Sequence, residues 1–375
     1  MSWLPPYRKL DAAQKRAIEF VTSSEGNYFI CGEAGTGKSV VLAYVALKYR
    51  KDHPDAKICV LTYTKALVAC LDEELSKYEL PVMTFHRFMA AKGEHKDCDL
   101  ILIDEAQDLQ ENWAARITKS GSKFVLFGDF AQMIYGKSGK IITEEAMLQM
   151  FAIRSSIPLV MDYRLPRSQR ELVQGLYPDR KFTSKVYNLM RNAQIPLYHA
   201  NGWDEEMGYI IKYVKQHSVV RSPSAILFEW KRSIFKFFYT LLPELDGKKI
   251  DLKTINAYLV EKNIPFRFLG NGEGDLTEGD KKPLTYVMTW HSSKGLDFET
   301  VVVPDLGFGR SQCACNPFYV AMTRARKNLL LTYSNKSTDQ IEKAKACASV
   351  CPIAADKETG SVRPRTRVVV QDRLL

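Results

Sequence analysis

No apolar stretch of this chain approaches the roughly 20 residues that a helix needs to cross a bilayer. The opening Met1-Ser2-Trp3-Leu4-Pro5-Pro6 lacks a signal-peptide core. A cytoplasmic protein without membrane contact is therefore expected. No internal repeat is visible at any fixed period. The 8 cysteines are scattered, as suits reduced thiols. Cys313, Cys315, Cys347 and Cys351 could supply four thiolates, but their spacing is not that of common zinc or iron–sulfur sites, so no metal is expected there.

At 375 residues and 46% hydrophobic content, the chain has enough apolar material for two domains with real cores. The net charge of +10 suits an anionic polymer, since Lys and Arg at phosphates release counterions. Charge alone serves solubility equally well.

The most informative stretch is Gly32-Glu33-Ala34-Gly35-Thr36-Gly37-Lys38-Ser39, which fits G-x-x-x-x-G-K-[ST]. A short apolar segment, Asn27–Cys31, precedes it and an apolar run, Val40–Tyr49, follows, giving strand, loop and helix in the required order. Such a loop turns backbone N–H groups and a helix N-terminus toward a β-phosphate. Lys38 then reaches the β- and γ-phosphates, and the Ser39 hydroxyl can hold Mg²⁺.

Upstream, Asp11-Ala12-Ala13-Gln14 has two readings. Asp11 and Gln14 form a helix capping box, or the Gln14 amide reads the adenine edge with its donor and acceptor. Downstream, Lys57–Thr64 reads as a strand ending in Thr62, Tyr63 and Thr64, and Thr84–Phe88 lies at a similar edge, with His86 as a capped surface residue or a ligand contact. Asp99–Ile103 reads as a central parallel strand leading into Asp104-Glu105-Ala106-Gln107-Asp108. Adjacent carboxylates there can divide labour: Asp104 on Mg²⁺, Glu105 on the attacking water. Phe124–Phe127 is another buried strand, ending near Gln132, whose amide could sense a γ-phosphate. Leu159–Asp162 leads to Tyr163, placed to stack on adenine, and Arg164, placed to stabilise transition-state charge.

The second half repeats this alternation without a phosphate loop. Strands are expected at Ala225–Phe228, Pro265–Leu269, Leu284–Thr289, Val301–Val303 and Leu329–Tyr333. Helices are expected at Leu252–Lys262 and Phe318–Arg326, a surface loop at Gly270–Asp280, and an edge strand or partner-binding segment in the tail Lys357–Leu375.

Taken in order, these stretches resemble the motif series of superfamily 1 helicases, in particular the UvrD/Rep-like branch. The Gln14 region resembles the Q motif, Gly32–Ser39 motif I, Leu61–Leu67 motif Ia, and Thr84–Phe88 motif Ic. Ile103–Asp108 resembles motif II, Gly128–Tyr135 motif III, Asp162–Arg164 motif IV, Thr289–Val303 motif V, and Tyr319–Leu330 motif VI. The resemblance implies an α/β protein of two RecA-like P-loop NTPase domains with mainly parallel sheets, residues 1–164 and 165–375, and ATP between them. It places Gln14 and Tyr163 on adenine, and Gly35, Thr36, Gly37, Lys38, Ser39 and Asp104 on the phosphates and Mg²⁺. Asp297 stands at a cofactor-binding glutamate of the family, one methylene shorter. The resemblance makes Glu105 the catalytic base, sets Gln132, Arg164 and Arg324 on the γ-phosphate, and makes Arg324 an arginine finger from the second domain. Single-stranded nucleic acid would lie across both domains, near Tyr63, His86 and His291, and near Lys137, which replaces a base-stacking tryptophan of the family.

The family's accessory 1B and 2B domains have no room here: Met89–Cys98 and Gly270–Lys282 are too short for domains. The expected function is ATP-driven movement on single-stranded DNA, 3′ to 5′, with RNA also open as the polymer. The alternative is a regulatory ATPase that senses nucleic acid for a partner such as a nuclease subunit. A P-loop kinase has no need of a second half carrying His291 and Arg324.

Overall fold

The computed structural model describes residues 4–63, 65–91, 97–132, 141–178, 183–187, 194–245, 250–270, 272–306, 315–334 and 337–354. Lys137, Cys313 and the tail Lys357–Leu375 lie outside them.

The first half builds a sheet from β1 (Asn27–Gly32), β2 (Ile58–Thr62), β3 (Val82–Thr84), β4 (Leu100–Ile103), β5 (Phe124–Gly128) and β6 (Ile153–Leu159). Its order is β3-β2-β4-β5-β1-β6, and every pairing is parallel. Both faces are covered, so the strands read as continuous apolar runs rather than alternating ones. Within β4 the side chains still part by face. Leu100 and Leu102 join the core beneath helices Ala12–Ser23 and Lys38–Asp52, while Ile101 and Ile103 join the one holding Trp113 and Met147.

A two-stranded ribbon, β7 (Met161–Asp162) with β8 (Lys185–Val186), follows. The second half then forms β9 (Ile195–His199), β10 (Ser224–Phe228), β11 (Phe266–Phe268), β12 (Thr285–Thr289), β13 (Phe298–Val303), β14 (Ala325–Tyr333) and β15 (Val350–Ala354). Its order is β11-β12-β10-β13-β14-β9-β15, again parallel at each pairing. Tyr286, Met288, Val301 and Val303 face one core, and Val287 and Val302 the other. The fold is thus α/β with two large parallel sheets, as RecA-like P-loop domains have, and this agrees with the expectation from sequence.

One element departs from that expectation. The helix anticipated over Phe318–Arg326 runs Cys315–Met322, and β14 already begins at Ala325. Thr323 and Arg324 turn the chain between them, both almost wholly buried. Among the described residues, no helix is long and apolar enough to cross a membrane.

Candidate nucleotide site

Parallel strands send all their carboxyl ends to one edge, so the order β4-β5-β1-β6 gathers four loops there. The loop after β1 turns into helix Lys38–Asp52, on one face of the sheet, while the helix reached from β5, Glu144–Met150, lies on the other. The crevice between β1 and β5 is therefore a switch point.

The phosphate loop depends on its glycines. Gly35 and Gly37 have φ of +84° and +82°, which other residues adopt at a cost. A Cβ on Gly35 would overlap Asp162 Oδ1, and one on Gly37 would come within 2.5 Å of Gln14 Nε2. Thr36 is buried, its hydroxyl on the Glu33 carbonyl at 2.9 Å. Lys38 Nζ donates to the carbonyls of Gly32 and Glu33 at 2.7 and 3.2 Å, across the mouth of the loop. Ser39 Oγ donates to Asp104 Oδ2 at 3.0 Å.

Gln14 joins the helix cap to the phosphate loop. Its side chain closes the capping box with Asp11, and its amide donates to the Thr36 carbonyl at 3.1 Å. The Tyr163 hydroxyl is bonded to Asp11, and the Tyr163 N–H donates to Gly35 O at 2.9 Å. Asp162 is fully buried, accepts the N–H groups of Arg164 and Leu165 at 3.0 Å each, and lies 3.7 Å from Arg170. Arg170 also pairs with Glu33 at 2.6 Å, so residues 167–176 tie down the outside of the phosphate loop.

Asp104 and Glu105 follow β4. Burial and the neighbouring Glu105 carboxylate raise the pKa of Asp104. Burial alone would raise Glu105 too, but the charges of Lys294 and Lys38, the Gln107 amide and Arg324 outweigh it and hold Glu105 ionised. Glu105 has φ of +54°, an uncommon conformation for a non-glycine residue and one that recurs at functional sites. Gln107 orients it, donating to Glu105 and accepting from the Asp129 N–H at 3.0 Å.

The second half contributes two cations to this group. Lys294, after β12, forms an ion pair with Asp108, lies 3.7 Å from Glu105, and donates to the Gln132 carbonyl at 3.0 Å. Arg324 donates to Gln132 Oε1 at 3.1 Å and to the Leu296 and Val320 carbonyls at 3.1 and 2.8 Å. Burial, then the charge of Arg164, lower its pKa to about 9. Gln132 itself donates to Asp129 at 2.8 Å. Arg164 Nε is buried and has no hydrogen-bond partner among the described residues.

The structure thus brings Gln14, the phosphate loop, Asp104, Glu105, Gln132, Tyr163, Arg164 and Arg324 together. Asp297 is exposed, faces Arg326 at 4.0 Å, and its charge reaches Arg324. Tyr63, at the β2 exit, packs near Phe85 and His86, with ring centroids at 6.3 and 6.4 Å. His86 is exposed on a helix, Phe85–Ala90, capped by Thr84, and its ring meets Trp113 at 4.8 Å. His291 is half-buried after β12, its pKa lowered by burial and then by Lys294.

Lys294, Asp108, Gln107 and Asp129 belong to this constellation but were not singled out from sequence. Each lies inside a motif stretch, and that position was the available signal.

Residues 14–138 match the family described as an AAA domain, and residues 284–332 match the UvrD-like helicase C-terminal domain. No curated protein matches the chain. Among solved structures, the chain is similar to the PRRSV helicase, at 14% identity and a TM-score of 0.47, over 87% of this chain and 56% of that one. It is also similar to Arterivirus nonstructural protein 10 (helicase), at 14% identity and a TM-score of 0.46, over 88% of this chain and 64% of that one. The same viral protein in complex with DNA gives 14% identity and a TM-score of 0.45, over 88% of this chain and 65% of that one. The chain therefore spans less than two thirds of the length of these structures.

Proposed function

We propose that this chain is an ATP hydrolase of the superfamily 1 helicase kind, stimulated by single-stranded DNA and moving along it 3′ to 5′. The observation that carries the reading is the meeting of Lys294 and Arg324 from the second half with Glu105 and Gln132 from the first. Hydrolysis at such a junction is sensitive to how the two halves sit, which is what a motor requires.

The residues fit Mg²⁺–ATP. Ser39 Oγ on Asp104 Oδ2 at 3.0 Å is an oxygen pair of the type magnesium accepts beside phosphate. The positive-φ glycines leave the phosphate loop open to a close approach, and Arg164 Nε is a buried donor with no partner among the described residues. Bound there, Mg²⁺–ATP would supply the phosphoryl group and a Lewis acid. Lys38 would then turn from the loop carbonyls to the phosphates. Glu105, held ionised and oriented by Gln107, would accept a proton from the attacking water. Arg164 and Arg324 would neutralise charge as it develops, and Gln132 would relay their position to the second half. Gln14 and Tyr163 would bracket the base.

In this reading residues 1–164 and 165–375 are the two RecA-like domains, in a minimal form without accessory domains. The short segments at Met89–Cys98 and Gly270–Lys282 also favour a second reading, a regulatory ATPase acting with a nuclease-type partner. Hydrolysis assayed with tailed and blunt duplexes separates the two. Unaided unwinding supports the motor, and nucleic-acid-stimulated hydrolysis without unwinding supports the subunit.

A further inference from the structure

The carboxyl edge of the second sheet holds a second crevice. β10 and β13 are neighbours, yet the helix after β10, Lys231–Leu241, packs on one face, and the helix after β13, Cys315–Met322, on the other. A cleft of about 350 Å³ opens there, lined by Trp203, Arg232, Ser233, Lys236, Asp305 and Ser334. That is the place and size of a ligand site in an open α/β sheet.

Beside Arg232 stands Trp230, 44% exposed, which is unusual for the largest apolar side chain. It stands two residues past β10, after Glu229, and precedes the helix that carries Arg232 and Lys236. The Arg232 guanidinium braces the ring from 5.4 Å, and Lys231, Arg232 and Lys236 are all exposed. Asp305, its carboxylate accepting from Ser233 at 3.1 Å, lies within electrostatic reach of Arg232 and Lys236.

Phe228 pairs with Thr289, so Trp230 and His291 each stand two residues past the same rung. Past His291, a Cβ on Gly295 would come within 2.5 Å of Leu67, and one on Gly272 within 2.7 Å of Lys65 Nζ. The segments after β12 and β2 therefore touch, and Tyr63 is the first residue past β2. Trp230 and His291 thus stand at strand exits of the second half, and Tyr63 at a strand exit of the first.

We infer that Trp230 is a stacking platform for one base of a single-stranded nucleic acid, with Arg232 and Lys236 holding the flanking phosphates at the cleft. The inference rests on the proposed function and adds a contact to it. Stacking on an aromatic face tolerates any base, whereas phosphate contacts set the salt dependence. The two kinds of residue therefore separate by experiment.

The test is fluorescence anisotropy of labelled oligo(dT) and oligo(U) with the full chain, titrated with salt, on folded variants matched in melting temperature. Trp230→Leu should bind about 5- to 100-fold more weakly with an unchanged salt slope. Trp230→Phe, which keeps a ring, should recover most of the affinity. Arg232→Ala should shallow the slope by about one. Binding by Trp230→Leu at wild-type strength, or a loss that Trp230→Phe does not recover, overturns this inference alone. Absence of binding by the wild-type chain overturns the proposed function and this inference with it.

Discussion

Lys294→Met removes the cation at the centre of the junction while keeping its apolar stem. At 3.7 Å and an effective dielectric constant of about 20, the attraction between Lys294 and Glu105 alone is about 4 kcal/mol. Asp108, fully buried, is the closer partner. Methionine has nearly the volume of lysine, so lost packing contributes little. The dominant cost is two carboxylates that lose their buried partner, about 3–5 kcal/mol before relaxation by water entry or separation of the halves. Chemical denaturation should therefore shift to lower denaturant, and saturated ATP turnover should fall at least about tenfold. Lys294→Arg keeps the charge and should retain most of both. The double variant with Asp108→Asn should regain stability relative to Lys294→Met, with a coupling energy of about 1–3 kcal/mol. A Lys294→Met chain that unfolds and hydrolyses like the wild type refutes the reasoning.

Other outcomes follow from the same geometry. Glu105→Gln should bind ATP normally, measured with a fluorescent analogue, while hydrolysis falls by about 10²-fold or more; normal hydrolysis removes Glu105 as the base. Arg324→Ala should lower kcat more than it raises KM, because its contact strengthens as charge develops; an effect confined to KM contradicts the arginine-finger role. Asp305 offers a pH test. Burial and then the Glu206 carboxylate raise its pKa from 3.8 to about 6, so the folded chain binds more protons than the unfolded one between those values, and stability falls as pH rises through that window. Asp305→Asn keeps an acceptor for Ser233 and tolerates the φ of +59°. It should stabilise the chain at pH 7 by about 1 kcal/mol, after allowance for partial exposure, and by nothing below about pH 4; an equal gain at both pH values, read by thermal melting, contradicts the assignment.

The buried strands were legible because a sheet covered on both faces leaves long apolar runs such as Leu100–Ile103 and Phe124–Gly128. β9 and β15 were not, because Pro196 and Pro352 interrupt them and proline argues against an interior strand. β6 was missed over Arg154-Ser155-Ser156, whose polarity suits an edge that only β1 pairs. The helix at Phe318 was extended too far because Thr323–Arg324 reads as helix until Arg324 is seen to be fixed by the Gln132 amide. The candidate residues the structure gathers were legible because each sits in a short stretch, at a fixed offset from a glycine or an acid. Lys294 offered only its place inside the Thr289–Val303 stretch, since it meets Asp108 across 186 residues of chain and no local pattern encodes that pairing.

The central claim is that hydrolysis is coupled to a nucleic acid lying across both halves. Steady-state ATP hydrolysis with and without single-stranded DNA or RNA, titrated with salt, tests it most directly. The account predicts strong stimulation by single-stranded DNA that fades as salt rises, since phosphate contacts release counterions. A rate that neither polymer changes at any salt concentration would contradict it.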